Sequence, residues 1–409
     1  MNLALASASR RSGFLLLGPA FVAAIAYVDP GNVAANVSAG AQFGFLLVWV
    51  ILVANAMAGL VQYLSAKLGL VTGRSLPEAV ADHTRRRTRL AYWVQAELVA
   101  MATDLAEVVG GAIALYLLFD LPLLLGGVIT GVVSLILLSI QNRRGQQVFE
   151  RVITGLMLVI AIGFLTSLAV EPPAAGDVAS GLIPRFDGAE SILLATAMLG
   201  ATVMPHAVYL HSGLARDRHG RPEAGAPRQR LLRITRYDVG LAMLVAGAVN
   251  LAMLLVAATN LQGIQNTDSI EGAYSAVQGA LGNTVALFFA IGLLASGLAS
   301  TSVGAYAGAM IMQGLLKRSY PLLLRRLVTL IPALAVLAVG VDPSRALVLS
   351  QVVLSFGIPF ALIPLIRLTA DRAIMGDDVN HRVTTALGWL VAGIITVLNV
   401  VLIYLTVAG

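Results

Sequence analysis

Two polar interruptions of apolar sequence contain side chains that can bind a metal ion. The first is Asp29-Pro30-Gly31-Asn32 and the second is Met204-Pro205-His206. Together they supply a carboxylate, an amide, a thioether and an imidazole. Oxygen ligands alone suit Mg²⁺, Ca²⁺ or Mn²⁺, whereas a sulfur ligand shifts the preference of a site toward transition metals. The residue types therefore predict one metal site that is shared between two distant segments.

The same interruptions contain residues that break helices. Pro30, Gly31 and Pro205 stand inside apolar runs of membrane length, and proline lacks the amide that a helix interior needs. In lipid, unwound backbone survives only where protein or a water-filled cavity surrounds it. Two broken helices in corresponding halves of a chain point to a transporter's substrate site. We therefore expect helices 1 and 6 to be broken at these positions.

Each candidate ligand also has a purely structural alternative. A charge at bilayer depth costs at least ~2.5–3.5 kcal/mol, so Asp29 needs a partner or a function. Asp29 or Asn32 could cap the helix that follows, and Met204 could fill an apolar gap. A cap does not account for Met204 and His206, so ligation is favoured. The carbonyls that unwinding frees at Ala26 and Ala201 are candidates to complete the shell.

The composition is that of an all-α integral membrane protein. The chain has 409 residues, of which 58% are hydrophobic and 12% charged, against about 25% charged in soluble proteins. It has no cysteine, which excludes disulfides and thiolate ligands. Apolar stretches of about 20 residues predict eleven transmembrane helices, at 13–39, 43–66, 91–119, 122–140, 149–170, 190–213, 237–259, 283–316, 322–341, 345–367 and 385–408. Residues 269–282 are predicted to form a short surface helix.

The basic residues orient these spans. With eleven spans and a cytoplasmic N-terminus, all but two of the 27 lysines and arginines fall on the cytoplasmic side, the exceptions being Arg185 and Arg345. This asymmetry is typical of multi-pass proteins of the plasma or inner cell membrane. The C-terminus is then extracytoplasmic. The basic loops are interpreted as topology determinants, so no nucleic-acid partner is expected.

The spacing of the spans predicts two inverted halves. Five spans in each half make helix 1 run outward and helix 6 run inward, which is the 5+5 inverted-repeat architecture with its site at the midplane. The boundaries expected are 1–170 for the first repeat, 171–368 for the second, and 369–409 for one additional helix.

A chain of titratable residues accompanies the candidate site. Glu97, Asp104 and Glu107 share one face of the third span, where acids are costly unless they line a polar path or meet basic partners. They could instead anchor helix packing. His206 and His211 titrate near neutral pH and are candidates for the same path. Arg325 or Arg326, at the start of the ninth span, is a plausible counter-ion of Asp104.

The paired motifs, with Tyr209-Leu210-His211-Ser212 and Ser350-Gln351-Val352-Val353-Leu354-Ser355, closely resemble the Nramp family of proton-coupled metal transporters. The resemblance extends over nearly the whole chain. It implies a fold like that of the leucine transporter (LeuT-like) and import of Mn²⁺ and Fe²⁺, with Co²⁺ and Cd²⁺ as further substrates and Mg²⁺ and Ca²⁺ excluded. The ligands implied are Asp29, Asn32, Met204 and the Ala201 carbonyl, with the Ala26 carbonyl and Gln351 joining in some conformations.

No prosthetic group is expected. No coiled coil or soluble partner domain is visible in the sequence, so no obligate protein partner is expected either, and the expected partners are the metal ion, protons and the bilayer. Three other functions are weighed against metal transport. A carboxylate at position 29 would repel the carboxylate of an organic substrate, which disfavours an amino-acid symporter. A membrane metalloenzyme would need the H-E-x-x-H spacing that His206 and His211 lack. A passive channel would not need the acidic residues of the third span.

Overall fold

The computed structural model describes residues 18–144, 146–263, 269–318 and 322–408, and within these ranges the regular elements are helices. In chain order they are α1 Pro19–Ile25, α2 Pro30–Phe43, α3 Val48–Thr72, α4 Leu76–His83, α5 Arg86–Phe119, α6 Leu123–Arg144, α7 Gln146–Val170, α8 Ala175–Ser180, α9 Gly188–Thr202, α10 Pro205–His219, α11 Ala226–Asn260, α12 Ile270–Leu281, α13 Asn283–Leu316, α14 Leu322–Val339, α15 Pro343–Ala370, α16 Arg372–Met375 and α17 Arg382–Ala408. Short 3₁₀ turns occupy 26–28, 44–47 and 376–378.

By length and composition, eight helical stretches of the described residues could cross a membrane. The stretch Pro30–Thr72 joins α2 to α3, and Gly188–His219 joins α9 to α10. Two shorter apolar helices, Pro19–Val28 and Leu123–Leu137, fall below that length. The all-helical membrane architecture is therefore confirmed, while the number of eleven spans stays a prediction. Residues 13–17 of the first predicted span lie outside the described residues.

Polar contacts define two opposite ends of the bundle. At one end, which we call the arginine-rich face, Lys317 pairs with Asp82 at 3.0 Å and Arg228 pairs with Asp378 at 3.0 Å. At the other end, the Trp49 amide donates to the Gly181 carbonyl at 3.0 Å. The short helices α4 and α16 therefore lie at the arginine-rich face, and α8 lies at the opposite face.

The short helices α1 and α2 are packed inside this bundle. Six of the seven residues of α1 are buried, and α2 is buried from Pro30 to Ala41. Helix α2 packs against α9, α11 and α15, and α1 packs against α7, α10 and α11. The two segments that contain the polar interruptions are thus surrounded by protein, as unwound backbone in a membrane requires.

Helices α3 and α10 cross with almost no space between their backbones. A Cβ added at Gly69 would overlap the carbonyl of Ser212. Next to this crossing, the Ser65 hydroxyl donates to the Val208 carbonyl at 2.5 Å, and the Ser212 hydroxyl accepts from the Leu76 amide at 2.7 Å. A glycine at position 69 is therefore required by the close approach of two helices.

We expect Gly69→Ala to lower the free energy of unfolding by about 1–3 kcal/mol, the usual cost of overpacking. The matched control is Gly59→Ala in the same helix, where the new Cβ would meet only the Met243 side chain, at 3.7 Å. That variant should be neutral or stabilised by up to about 1 kcal/mol, because alanine favours helix. Thermal unfolding of purified protein in detergent measures both, and equal shifts would contradict the steric argument.

Candidate metal site and polar network

Both helix interruptions fall on a residue that precedes proline. Asp29 has φ −70° and ψ 167°, and Met204 has φ −57° and ψ 121°, so each is extended between two helices. The ring of a proline clashes with a helical residue before it, and this pushes that residue to extended geometry. Asp29 thus separates the 3₁₀ turn after α1 from α2, and Met204 separates α9 from α10.

The carbonyls released by these interruptions are bound by side chains of neighbouring helices. The carbonyl of Tyr27 accepts from Asn250 Nδ2 at 2.7 Å, and that of Val28 accepts from the Ser296 hydroxyl at 2.5 Å. Asn250 is itself fixed, because its Oδ1 accepts from Asn36 Nδ2 at 2.9 Å. An unpaired backbone carbonyl in hydrocarbon costs several kcal/mol, so these contacts hold the unwound segment in place.

Asp29 lies at the centre of the first interruption and has no exposed surface. Its Oδ1 accepts from the Asn32 amide at 2.8 Å and from Asn32 Nδ2 at 2.9 Å, and its Oδ2 accepts from Gln351 Nε2 at 3.4 Å. The capping role considered from the sequence is therefore present. This capping uses Oδ1, whereas the contact of Oδ2 with Gln351 is long.

Asn32 connects the two interruptions directly. Its Nδ2 donates to Asp29 Oδ1 at 2.9 Å and to the Ala201 carbonyl at 3.0 Å. One polar hydrogen-bond donor thus lies between an oxygen from the first broken segment and an oxygen from the second. Among the described residues, Asn32 Oδ1 and Gln351 Oε1 are buried acceptors without a hydrogen-bond partner. Such orphaned acceptors mark a place where an additional positive group can bind.

The other two predicted ligands lie in the same breaks. Ala26 is buried in the 3₁₀ turn that follows α1, and Met204 is fully buried just before α10. Within the described ranges, no three acidic or histidine side chains form a group that could hold a metal. Any cation held here would therefore depend on one carboxylate together with neutral oxygens and sulfur.

The absence of a side chain at Gly31 makes room for Gln351. A Cβ at Gly31 would overlap the amide of Gln351, which reaches from α15 across the N-terminus of α2. Gln351 is fully buried and also contacts the Ser350 hydroxyl at 3.2 Å. Helix α15 thereby contributes a third polar group to the site, close to Asp29.

The two arginines of α14 pair with different acids of α5. Arg326 forms an ion pair with Asp104 and also donates to the Thr301 hydroxyl, and its Nε donates to Ser134 at 3.2 Å. Arg325 pairs with Glu97 at 3.0 Å. The counter-ion of Asp104, left open between two arginines by the sequence, is Arg326 in the structure.

Glu107 is the deepest of the three acids and is buried without an ion-pair partner among the described residues. Its carboxylate packs against the backbone of α13, so that a Cβ at Gly304 would lie 2.8 Å from Oε1. Its Oε2 has no hydrogen-bond partner within the described ranges. A buried carboxyl group of this kind needs a proton or a nearby cation to be stable.

The two histidines belong to different parts of the network. Nδ1 of His206 is hydrogen-bonded to the Thr103 hydroxyl of α5 at 3.2 Å. Nδ1 of His211 is hydrogen-bonded to Gln62 Oε1 of α3 at 2.7 Å, and Gln62 also donates to the Tyr27 hydroxyl. His206 therefore lies beside the acids of α5, whereas His211 is linked to the turn between α1 and α2.

Several supporting residues were not predicted from the sequence: Tyr27, Gln62, Thr103, Asn250 and Ser296. Asn250 and Gln62 are isolated amides in apolar spans, and that signal could have identified them, because a buried amide requires partners. Hydroxyl groups such as those of Ser296 and Thr103 give no such signal, since they can bond to their own helix.

A water-accessible vestibule opens at the face opposite the arginine-rich one. Its volume is about 400 Å³, and its lining includes Ser38 of α2, Glu190 and Leu194 of α9, Val348 of α15 and Asp342, which precedes α15. Val348 is one helical turn from Gln351 on α15. Asp29 and Met204 nevertheless have no exposed surface. The vestibule therefore does not reach Asp29 and Met204, and the candidate metal site is closed to solvent.

Comparisons with known proteins give a family model and relatives that match nearly the whole chain. The model of the family "Nramp: Natural resistance-associated macrophage protein-like" matches residues 20–405. The divalent metal cation transporter MntH of Mycobacterium tuberculosis is 70% identical over 401 residues, which cover 98% of this chain and 94% of that protein.

Solved structures give the same fold. The crystal structure of the Eremococcus coleocola manganese transporter matches with a TM-score of 0.83 and 33% identity, over 94% of this chain and 85% of that one. Mhp1, a nucleobase-cation-symport-1 family transporter, matches with a TM-score of 0.61 at 16% identity, over 94% of this chain and 90% of that one. The second likeness shows the shared LeuT-like fold alone.

We expect Arg326→Leu to cost about 3–5 kcal/mol of stability, because it leaves the carboxylate of Asp104 buried and unpaired. Arg325→Leu should cost less, since the side chain of Glu97 retains 19% of its exposure to solvent. The double variant Arg326→Leu with Asp104→Leu should recover most of the loss. Thermal unfolding in detergent measures the stability of the two single variants and the double variant. An equal loss of stability in both single variants would contradict the assignment of Arg326 and Asp104 as the buried pair.

Proposed function

The chain belongs to the Nramp family, and from that premise we propose that it imports divalent transition metals, chiefly Mn²⁺ and Fe²⁺, in symport with protons. It is a multi-pass membrane transporter and not an enzyme. The observation that carries the proposal is the position of Asn32 Nδ2, which bridges Asp29 Oδ1 and the Ala201 carbonyl at 2.9 and 3.0 Å. The partly positive Nδ2 group of Asn32 lies between these two oxygens, and a cation would be stabilised at the same position.

Binding of the metal requires a change at one side chain. Rotation of the Asn32 amide by a half turn exchanges Nδ2 for Oδ1, the acceptor that lacks a partner. Three oxygens, from Asp29, Asn32 and Ala201, then face one point between the two broken helices. Gln351 can turn its own unpartnered Oε1 inward in the same way, and the carbonyl of Ala26 completes the oxygen set.

Met204 supplies the selectivity in this proposal. Sulfur favours transition metals, whereas Mg²⁺ and Ca²⁺ prefer a shell of oxygens alone. Mn²⁺, Fe²⁺, Co²⁺ and Cd²⁺ are therefore accepted as substrates, and the abundant hard cations are rejected. The site has a single carboxylate, which limits affinity and permits release. No prosthetic group, nucleic acid or obligate protein partner takes part.

We place the vestibule on the extracytoplasmic side. The arginine-rich face then lies in the cytoplasm with the N-terminus, and the C-terminus lies outside, in accord with the distribution of basic residues. The two halves, 1–170 and 171–368, form inverted repeats of five spans each, and 369–409 adds the eleventh. Metal passes from the vestibule to the site and leaves after α1 and α10 tilt away from their partners.

Protons follow a separate route along α5. Metal binding displaces a proton from Asp29, and Glu107 lies within electrostatic range of that carboxylate. His206 adjoins the route through Thr103. The route continues through the Asp104–Arg326 and Glu97–Arg325 pairs, toward the N-terminal end of α5 at the arginine-rich face. His211 belongs to the inner gate, next to Gln62 and Tyr27.

We expect Met204→Ala to reduce the preference for Mn²⁺ over Ca²⁺ by about tenfold, because the remaining ligands are the oxygens that Ca²⁺ prefers. Uptake of each ion into liposomes containing purified protein, with internal pH recorded, measures the preference. Met198→Ala is the matched control, since Met198 is likewise a buried methionine but lies within the continuous helix α9. An unchanged ion preference in Met204→Ala would exclude the sulfur as a ligand, and absence of Mn²⁺ uptake by the unaltered protein would refute transport.

We expect Asp29→Asn to abolish both Mn²⁺ uptake and the accompanying acidification of the liposomes, since one carboxylate serves metal and proton. Glu107→Gln provides the comparison, because it should lower the proton flux while Mn²⁺ binding is retained. Calorimetry measures the binding, and a fluorescent pH indicator in the lumen measures the flux. Retained Mn²⁺ uptake without proton movement in Asp29→Asn would contradict the shared role.

A further inference from the structure

The N-terminal end of α1 is bound by a single carboxylate from a distant helix. Asp238 of α11 accepts from the Gly18 amide with Oδ1 at 3.1 Å and from the Ala20 amide with Oδ2 at 3.0 Å. Asp238 itself is 3% exposed. The first amides of a helix have no partner within it, and a carboxylate there also interacts favourably with the helix dipole. Asp238 therefore caps α1 from outside its own segment.

This contact is the polar attachment of an otherwise apolar element. The sequence of α1, Pro-Ala-Phe-Val-Ala-Ala-Ile, contains no polar side chain. Apolar packing against α7, α10 and α11 is non-directional, so it fixes the position of a seven-residue helix weakly. The two hydrogen bonds to Asp238 are directional, and they hold the end of α1 that is farthest from Asp29.

Two more charged residues adjoin the same end. Glu150 of α7 forms an ion pair with Arg218 of α10 at 3.6 Å. The Glu150 carboxylate lies beside Gly18, where an added Cβ would be 3.0 Å from Oε2. Asp238 lies within electrostatic range of both Glu150 and Arg218. Helices α7, α10 and α11 thus all place charged groups around Gly18, the residue that precedes α1.

We propose that Asp238 is a positioning residue that holds α1 in its closed position at the arginine-rich face, and so sets the balance between the closed and open states of that face. This rests on the proposed alternating-access function, in which α1 moves away to release the substrate. The two hydrogen bonds exist only while α1 is seated against α11. Weakening them destabilises the closed state without touching the metal ligands.

The absence of cysteine allows a direct test, because single reporter cysteines can be introduced without a background. One reporter is Ala23→Cys, buried on α1, and the other is Val348→Cys, which lines the vestibule. The rate of N-ethylmaleimide modification is measured for each in membranes without added metal. Asp238→Asn should make modification at position 23 about tenfold faster, the effect of losing roughly 1.4 kcal/mol from the closed state, and modification at position 348 slower.

Asp378→Asn is the matched control. Asp378 is likewise a buried acid at the arginine-rich face, but its carboxylate is bound by Arg228 and Gln229 of α11. Its modification rates should match those of the unaltered protein. Equal acceleration at positions 23 and 348 in Asp238→Asn would indicate general loosening and overturn the proposal, as would unchanged rates at both positions.

A second variant covers the case in which Asp238→Asn does not yield monodisperse protein. Asp238→Glu keeps the charge and displaces it by one methylene, and it should give a smaller change in the same direction at both reporters. No change with Asp238→Glu would then overturn the proposal. The modification rates test the role of Asp238 and require no metal, whereas Mn²⁺ uptake by the unaltered protein tests the proposed transport function. Failure of the Asp238 proposal is therefore distinguishable from failure of the transport proposal.

Discussion

The backbone of the two helix interruptions can exist inside a membrane only if each freed carbonyl and amide finds a partner within the protein. This requirement explains why polar side chains from so many helices converge on one place. Asn250 and Ser296 bind the carbonyls of the turn after α1, and Asn32 binds the carbonyl of Ala201. The groups that make the unwound segments possible therefore also determine which polar atoms remain available to a substrate. The carbonyls of Tyr27 and Val28 are bound by other helices, whereas the carbonyl of Ala201 is bound only by the rotatable amide of Asn32 among the contacts described above.

The buried acids near this site differ in whether a basic side chain compensates their charge. The arginines of α14 compensate the outer members of the acidic series on α5, and Arg326 is shielded from solvent as completely as Asp104. Glu107 and Asp29 are left without such partners among the described residues, and they are the two carboxyl groups nearest to the centre. Burying a carboxylate in its charged form costs much more free energy without a basic partner than with one. Along α5, the two acids farther from Asp29 are therefore paired with arginines, whereas Glu107 has no ion-pair partner among the described residues.

Much of this arrangement could be predicted from the sequence, and the parts that could not have a physical reason. Asp-Pro and Met-Pro pairs gave the positions of the two interruptions, yet Pro332, Pro359 and Pro364 lie within continuous helices. A proline alone is therefore insufficient, and the polar residues around it distinguish the two cases. The pairing of Arg326 with Asp104 depends on the rotation of α14 about its axis, which apolar periodicity does not fix to within one residue. The contact from Asp238 to Gly18 spans 220 positions, and no local pattern encodes it.

The amide of Asn32 has a consequence for turnover. A carrier that delivers its cargo must reorient without it, and an uncompensated pair of oxygens at the midplane would repel one another and oppose that return step. The Nδ2 group of Asn32 neutralises this repulsion by lying between them. Under the proposed function, a side chain with an oxygen and a nitrogen on one rotatable group can bind the metal in the loaded state and stabilise the two oxygens in the empty state. A second carboxylate in its place would bind cations more firmly but would leave a second buried charge in the empty carrier.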